Sequence, residues 1–399
     1  MLTVNPGLAG VVAFDTEIAE PDRDGGALRY RGVDVRSLAG VVGFGDVWGL
    51  LTDGDFAHPL TPSPAAIASA SVASGSAPGS AASGSVASGP VASGPAAASF
   101  AVPVRTGDAR VDVQAAAAAL GLRPLIDVDH AQARADLAFA TAAMLDRVAV
   151  SARGDRPAVP QRLVDAGRDV TEQFMIRWRG EPDPRHVAAI DRYWVCAAEH
   201  GMNASTFTAR VVASTGADVG ACLSAAVAAL SGPLHGGAPA RALGMVEAVE
   251  RGEDARRYVK QVLDSGNRLM GFGHAIYRAE DPRATILRDT ARELGAPRYE
   301  VALDLERAAL AELRERKPDR VLATNVEFWA AIVLDFAEVP ADLLAAVFTC
   351  ARTAGWSAHI LEQKRLAKII RPSADYVGPP ERAATDLPGW PDAVKRRSV

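Results

Sequence analysis

From about Val111 onward the apolar residues recur at intervals of three and four. Leu137, Ala140, Met144, Leu145 and Val148 make one stripe, interrupted only by the small Thr141, and this spacing predicts a helix with one side turned to a core. Similar signals follow one another to the end of the chain. Asp281-Pro282-Arg283 reads as an N-cap, a first-turn proline and the next helical residue, which places Arg283 near a helix N-terminus, where anions are favoured. Two further stretches, Val321 to Phe336 and Ala341 to Lys368, are rich in alanine and leucine with few breakers. Strand signals are confined to the first forty residues. Val11-Val12-Ala13-Phe14, Thr16-Glu17-Ile18 and Leu28-Arg29-Tyr30-Arg31-Gly32, around the turn Asp22-Arg23-Asp24-Gly25-Gly26, predict one short hairpin. The pattern as a whole predicts an all-α protein of two domains with a short N-terminal β-hairpin.

Composition changes that picture in two places. From Phe56 through Val104 no Asp, Glu, Lys or Arg occurs, and Val-Ala-Ser-Gly recurs from Val72, Val86 and Val91. Such a tract buries too little apolar surface to offset the entropy of ordering it, so 62–104 reads as a low-complexity surface insertion without chemistry. Residues 379–399, with Pro379-Pro380, Pro388 and Lys395-Arg396-Arg397, read as a loose tail. The remainder of the 399 residues, in a chain that is 49% hydrophobic, is ample for a full core. A net charge of −5 argues against general attraction to nucleic acid or anionic membrane, so local basic groups serve specific anions. Cys196, Cys222 and Cys350 are scattered and odd in number, which suits unpaired thiols in a reducing compartment. With no apolar run of about 20 residues and no signal-like start, the expectation is a cytoplasmic protein away from membranes.

Candidate chemistry gathers around three histidines set in glycine-containing turns: Glu199-His200-Gly201-Met202-Asn203, Pro233-Leu234-His235-Gly236-Gly237 and Gly271-Phe272-Gly273-His274. Glycine beside an imidazole leaves room for a ligand, so each ring is expected to be displayed rather than buried. Glu327 and the arginines Arg283, Arg352 and Arg371 accompany them. A three-histidine zinc site has little support, because these histidines are 35 and 39 residues apart and no close pair shares an element. Metal-free acid-base chemistry uses what is present. Imidazoles would donate to carbonyl oxygens while a carboxylate takes a proton from carbon, and arginines would bind a di- or tricarboxylate through paired hydrogen bonds. The residues alone leave blander roles open. The three histidines suit core or capping positions, Glu327 suits a first-turn carboxylate satisfied by the helix dipole, and Arg352 and Arg371 suit surface cations. His58, His130, His186 and His359 are expected to be structural or solvated.

In this order, Glu199 to Thr206, Gly232 to Ala238, Gly271 to Arg278 with Asp281-Pro282-Arg283, and Asn325 to Phe328 resemble the signature blocks of the citrate synthase family. Gly7 to Val12 and Leu28 to Asp34 resemble its opening. The resemblance covers nearly the whole chain outside the insertion and the tail. It implies a transferase of the tricarboxylic acid cycle in a two-domain helical fold: a large domain of 1–236 with 341–399, and a small domain of 237–340 closing over substrate. It implies a homodimer with shared active sites, acetyl-CoA and oxaloacetate as substrates, and neither metal nor permanently bound cofactor. By resemblance His235 holds the thioester oxygen, His274 holds the ketone of oxaloacetate, and Glu327 is the catalytic carboxylate. His200, Asn203, Arg283 and Arg352 match oxaloacetate and citrate ligands, and Arg371 matches the arginine that reaches the partner's site. Arg278 and Arg320 fall where coenzyme A phosphates are held, and Gly271 and Gly273 where backbone approaches its adenine end. Two departures stand out: Glu327 replaces the family's usual aspartate, and Ala275 follows the histidine where many bacterial members carry arginine. Propionyl-CoA in place of acetyl-CoA, giving 2-methylcitrate, is the nearest alternative. A non-catalytic CoA or dicarboxylate sensor is the alternative of another class.

Overall fold

A computed structural model describes residues 6–8, 10–22, 24, 26–61, 105–232, 235, 238–273, 277, 280–320 and 322–397. The insertion expected at 62–104, and the site candidates His274 and Arg278 with Ala275, lie outside the described residues. The chain separates into two units, Met1–Lys368 and Ile369–Val399.

In the larger unit an antiparallel sheet opens the fold, with β1 at Ala19–Asp22, β2 at Ala27–Tyr30 and β3 at Val33–Asp34. Ala19 pairs with Tyr30, Asp22 with Ala27, and Tyr30 with Val33. The hairpin is therefore present but has a third strand, and it begins later than the sequence suggests. Val11 and Val12 are exposed rather than paired. Strand β1 carries Pro21, which an edge strand tolerates because its missing N–H faces no partner. Tyr30 is fully buried and its hydroxyl lies 3.0 Å from Val195 O and 3.1 Å from Glu199 O, which pins the sheet to the chain segment ahead of His200.

Helices follow: α1 Phe44–Asp53, α2 Ala109–Ala118, α3 His130–Arg153, α4 Gln161–Val164, α5 Val170–Arg179, α6 Pro184–Ala197, α7 Ala204–Ser214, α8 Val219–Leu230, α9 Ala238–Glu250, α10 Ala255–Asp264, α11 Pro282–Glu293, α12 Tyr299–Arg316, α13 Val326–Phe336 and α14 Leu344–Leu366. Aspartates mark many of the starts. Asp108, Asp129, Asp169, Asp183, Asp218, Asp254 and Asp281 each accept a backbone N–H of the first turn, satisfying a donor that the helix itself cannot pair. The expected stripe on α3 is buried throughout, Thr141 included. Helix α13 starts at Val326 rather than Val321 because Asn325 caps it, and a 3₁₀ turn at Ala341–Leu343 precedes α14.

Helix α14 is the axis of the core. Between Leu344 and Gln363 only Ala345 and Phe348 are not buried, and the helix packs against α1, α3, α6, α7 and α8. Over that stretch the helix is buried on every side, which leaves those side chains no solvent to face. Its polar residues Arg352, His359, Glu362 and Gln363 are therefore committed to internal partners. Farther along, α11 and α9 pack on α13, and α10 packs on α12. Cys196, Cys222 and Cys350 are buried free thiols. In the C-terminal unit the expected tail carries a 3₁₀ turn at Ala384–Asp386 and a helix α15 at Trp390–Arg397, with every described residue from Arg371 onward exposed.

Candidate active site

The N-termini of α11 and α13 meet at one buried carboxylate. Asp281 caps α11 by accepting Arg283 N at 3.1 Å, grips the Arg283 guanidinium at 3.0 and 2.9 Å, and accepts Val326 N at 3.0 Å from the start of α13. Both Asp281 and Arg283 are nearly inaccessible. Burial opposes the charge on Arg283, but the adjacent Asp281 outweighs it and holds the guanidinium above its usual range. One residue therefore fixes the position of Arg283 relative to the helix that bears Glu327.

The start of α13 is locked a second time. Asn325 accepts Glu327 N at 3.0 Å, its amide donates to Gly273 O at 2.8 Å, and Asn325 N donates to Gly271 O at 2.9 Å. Gly271 has φ +85, and a Cβ there would lie 2.6 Å from Phe328 Cβ. Its glycine is thus required by the packing of its own loop on α13. Glu327 follows in the first turn, where a dipole favours a carboxylate, yet its Oε2 is buried without a hydrogen-bond partner among the described residues. Burial raises its carboxyl to about 7, against the lowering effect of Arg283, with Asp281 adding to the rise. The dipole does not satisfy this group. Its titration is moved up towards neutral pH.

His200, Asn203, His235, Arg283, Glu327 and Arg352 line one cavity of about 140 Å³. A second, smaller space also touches His235, Arg283 and Glu327. The structure therefore brings together six of the residues singled out in the sequence. Their exposure differs from expectation at His200, which is buried rather than displayed. Its Nε2 lies 3.0 Å from the Tyr277 hydroxyl, and burial holds that phenol above its ordinary range, so the hydroxyl keeps its proton. Gly201, at φ +66, has Pro21 of β1 against the space a Cβ would fill, so the sheet closes the back of this turn.

His235 is partly buried. Its Nε2 lies 3.0 Å from Ser205 Oγ and 3.3 Å from Asn203 Oδ1. Trp356 Nε1 donates to Ser205 Oγ at 3.2 Å, and Ser205 donates to Asn203 at 2.8 Å. Burial, then the nearby Arg352, lowers the imidazole below 6.5, so the ring is neutral at neutral pH. Arg352 donates to Ala197 O at 2.8 Å and lies 4.8 Å from the Phe348 ring centre. Burial lowers it from the usual guanidinium range, and Glu199 works against that.

Glu199 was not singled out in the sequence, and His359, expected to be structural or solvated, is buried against it. Glu199 is fully buried beside His200, with His359 Nε2 3.4 Å from its Oε1. Arg210 Nη1 lies 3.1 Å from His359 Nδ1, and a guanidinium only donates. A neutral His359 therefore carries its proton on Nε2, facing Glu199. Arg210 also pairs with Glu362 at 2.5 Å. Gly355 completes the slot: its N–H donates to Ala198 O, and a Cβ there would lie 2.0 Å from Glu199 Oε2. A glutamate directly before His200 and a histidine one helical face along α14 from Arg352 were the available signals. Arg320 is exposed in the turn after α12 and lines neither of these spaces, and Arg371 is exposed in the C-terminal unit.

Comparison with known proteins bears on this arrangement. The family model described as "Citrate synthase, C-terminal domain" matches residues 7–373. A Mycobacterium tuberculosis protein named "Putative citrate synthase 2" is 59% identical over 391 residues, covering 96% of each chain. The 2-methylcitrate synthase of Shewanella oneidensis is 40% identical over 202 residues, 49% of this chain and 52% of that one. Among solved structures, the Thermoplasma acidophilum citrate synthase in ternary complex with carboxymethyl coenzyme A and oxaloacetate superposes with a TM-score of 0.75 at 23% identity, covering 96% of this chain and 98% of that one. That likeness establishes the mostly helical fold. With a family model spanning most of its length and a relative of such identity, the chain belongs to the citrate synthase family of enzymes.

Proposed function

We propose that the protein condenses acetyl-CoA with oxaloacetate and water to give citrate and CoA. The observation that carries this reading is Glu327, a buried carboxyl with a raised pKa of about 7 on the wall of a cavity shared with His200, His235, Arg283 and Arg352. A general base works best when its pKa lies near the working pH, and an ordinary glutamate at about 4.3 is far from that. Glu327 takes a methyl proton from the thioester while His235 steadies the enolate oxygen. The enol carbon then attacks the ketone of oxaloacetate, polarised by His274, and hydrolysis of the thioester releases citrate. For His235 to donate from its other ring nitrogen, Ser205 must turn its proton from Asn203 Oδ1 to Nε2, a rotation that costs one short hydrogen bond.

His200, Asn203, Arg283 and Arg352 hold the dicarboxylate, while Arg278, Arg320, Gly271 and Gly273 serve the coenzyme. Residues 237–340 close over the site as a small domain against 1–236 and 341–399, keeping water out until condensation is complete. The protein acts as a cytoplasmic homodimer in the tricarboxylic acid cycle, with Arg371 reaching its partner's site. Glu327 is longer by one methylene than the family's usual aspartate, and the start of α13 that carries it is anchored by Asp281 and Asn325. The Shewanella relative favours one second reading, propionyl-CoA in place of acetyl-CoA. A single methylene is worth only about 1 to 3 kcal/mol in a pocket. A thiol-release assay with oxaloacetate and each short acyl-CoA tests both readings. The larger kcat/KM is expected with acetyl-CoA, and no thiol release from any thioester would refute condensation altogether.

A further inference from the structure

A further cavity, of about 260 Å³, lies where α3 and α5 end and shares no lining residue with the two active-site spaces. Arg105, Arg153, Arg156 and Arg177 line it, with Asp155 the acid among the lining residues. Arg177 pairs with Asp146. The other three differ. Arg153 and Arg156 both donate to one oxygen, Trp178 O, at 2.9 and 3.1 Å, and Arg156 also donates to Arg153 O at 2.9 Å. Arg153 donates in addition to Pro157 O.

The bland reading is that these side chains cap the carbonyls at two helix ends. Capping accounts for the donors, and the negative ends of the α3 and α5 dipoles offset part of the charge. Two guanidiniums nonetheless converge on one carbonyl oxygen, with Arg105 on the same wall and Asp155 the one carboxylate among the lining residues. Burial, then the like charge of Arg156, holds Arg153 below the usual guanidinium range. In a chain of net charge −5, this concentration of positive charge calls for an anion. Guanidinium forks match phosphate oxygens two at a time. With a water's share of liquid volume at about 30 Å³, the cavity has room for more than one phosphate group.

We propose that this cavity is an anion site, separate from the active site, for a ligand bearing a di- or triphosphate group. Free oligophosphate and the phosphate chain of a nucleotide share that chemistry.

The test is calorimetry on the full chain with tripolyphosphate, and in a second arm with ATP, after oxaloacetate has filled the dicarboxylate site. The wild type is expected to bind one tripolyphosphate per chain. R105Q/R156Q, which leaves Arg153 on Trp178 O, should bind at least tenfold more weakly while keeping wild-type turnover in phosphate-free buffer. The single change Arg105→Glu, at an exposed position, should weaken binding in the same direction without altering the unfolding temperature. Tighter binding of ATP than of tripolyphosphate would support the site and assign it to nucleotides; equal binding would support it and assign it to the phosphate chain alone. Unchanged affinity in both variants would overturn the proposal, because the binding would then lie at another site.

Discussion

Replacing Glu327 with glutamine keeps the side chain's shape and removes its ability to carry charge. Burial raises this carboxyl from the ordinary 4.5 to about 7, so the folded protein holds the proton more tightly than the unfolded chain does. Stability then falls as pH rises from about 4.5 to about 7; the loss is absent below that window and complete above it. At roughly 1.4 kcal/mol per pH unit, keeping Glu327 ionised costs on the order of 3 kcal/mol. Glutamine escapes that cost. With unfolding entropy of about 2.1 cal/mol/K per residue, the melting temperature of Glu327→Gln should exceed that of the wild type by roughly 4 °C at pH 8. At pH 5, only about half a unit above the unfolded value, the loss is roughly 1 kcal/mol or slightly less and the gap should shrink to about 1 °C. Thermal melts at both pH values measure the gap, and thiol release on the same samples should show turnover abolished in the variant. Oxaloacetate binding by calorimetry should persist. A gap equal at the two pH values would refute the reasoning, because it would then owe nothing to the charge on Glu327.

Other consequences follow from the same geometry. Asp281→Asn leaves the buried Arg283 without its counter-charge and should destabilise the fold by about 3 to 5 kcal/mol; a loss below about 1 kcal/mol in denaturant unfolding would show that the pair is not needed. Gly355→Ala puts a methyl group 2.0 Å from Glu199 Oε2 and 2.7 Å from Ala198 O, where overpacking typically costs about 1 to 3 kcal/mol. Because the displaced segment carries His200, oxaloacetate should bind at least tenfold more weakly by calorimetry, and unaltered affinity would contradict the slot. The kcat/KM for acyl-CoA should rise with pH through about 7 as Glu327 ionises, with His235 already neutral. A profile flat between pH 6 and 8 would speak against both assignments.

Local signals carried much of the architecture. The N-cap, proline and arginine of Asp281-Pro282-Arg283 begin α11 as their chemistry requires, and the apolar stripe from Leu137 to Val148 faces the core. What periodicity could not supply was the partner across the fold. Val11 to Phe14 has strand-forming composition, but pairing starts at Ala19. His200 sits beside a glycine and is nonetheless closed in by Tyr277 and by Pro21 from a distant strand. The site was legible as a set of residue types in order, and six of them line one cavity. Its supports were not. Asp281 bridges α11 to α13 across 45 residues, and Glu199 meets His359 across 160, so neither role shows in local spacing.

The central claim is that Glu327 takes a proton from the carbon next to the thioester. Proton exchange reports it directly: acetyl-CoA is incubated in D₂O with the enzyme and malate, which fills the dicarboxylate site without reacting, and deuterium entering the methyl group is followed by NMR. The wild type should exchange the methyl protons and Glu327→Gln should not. Exchange by the variant at the wild-type rate would contradict the assignment and require another base.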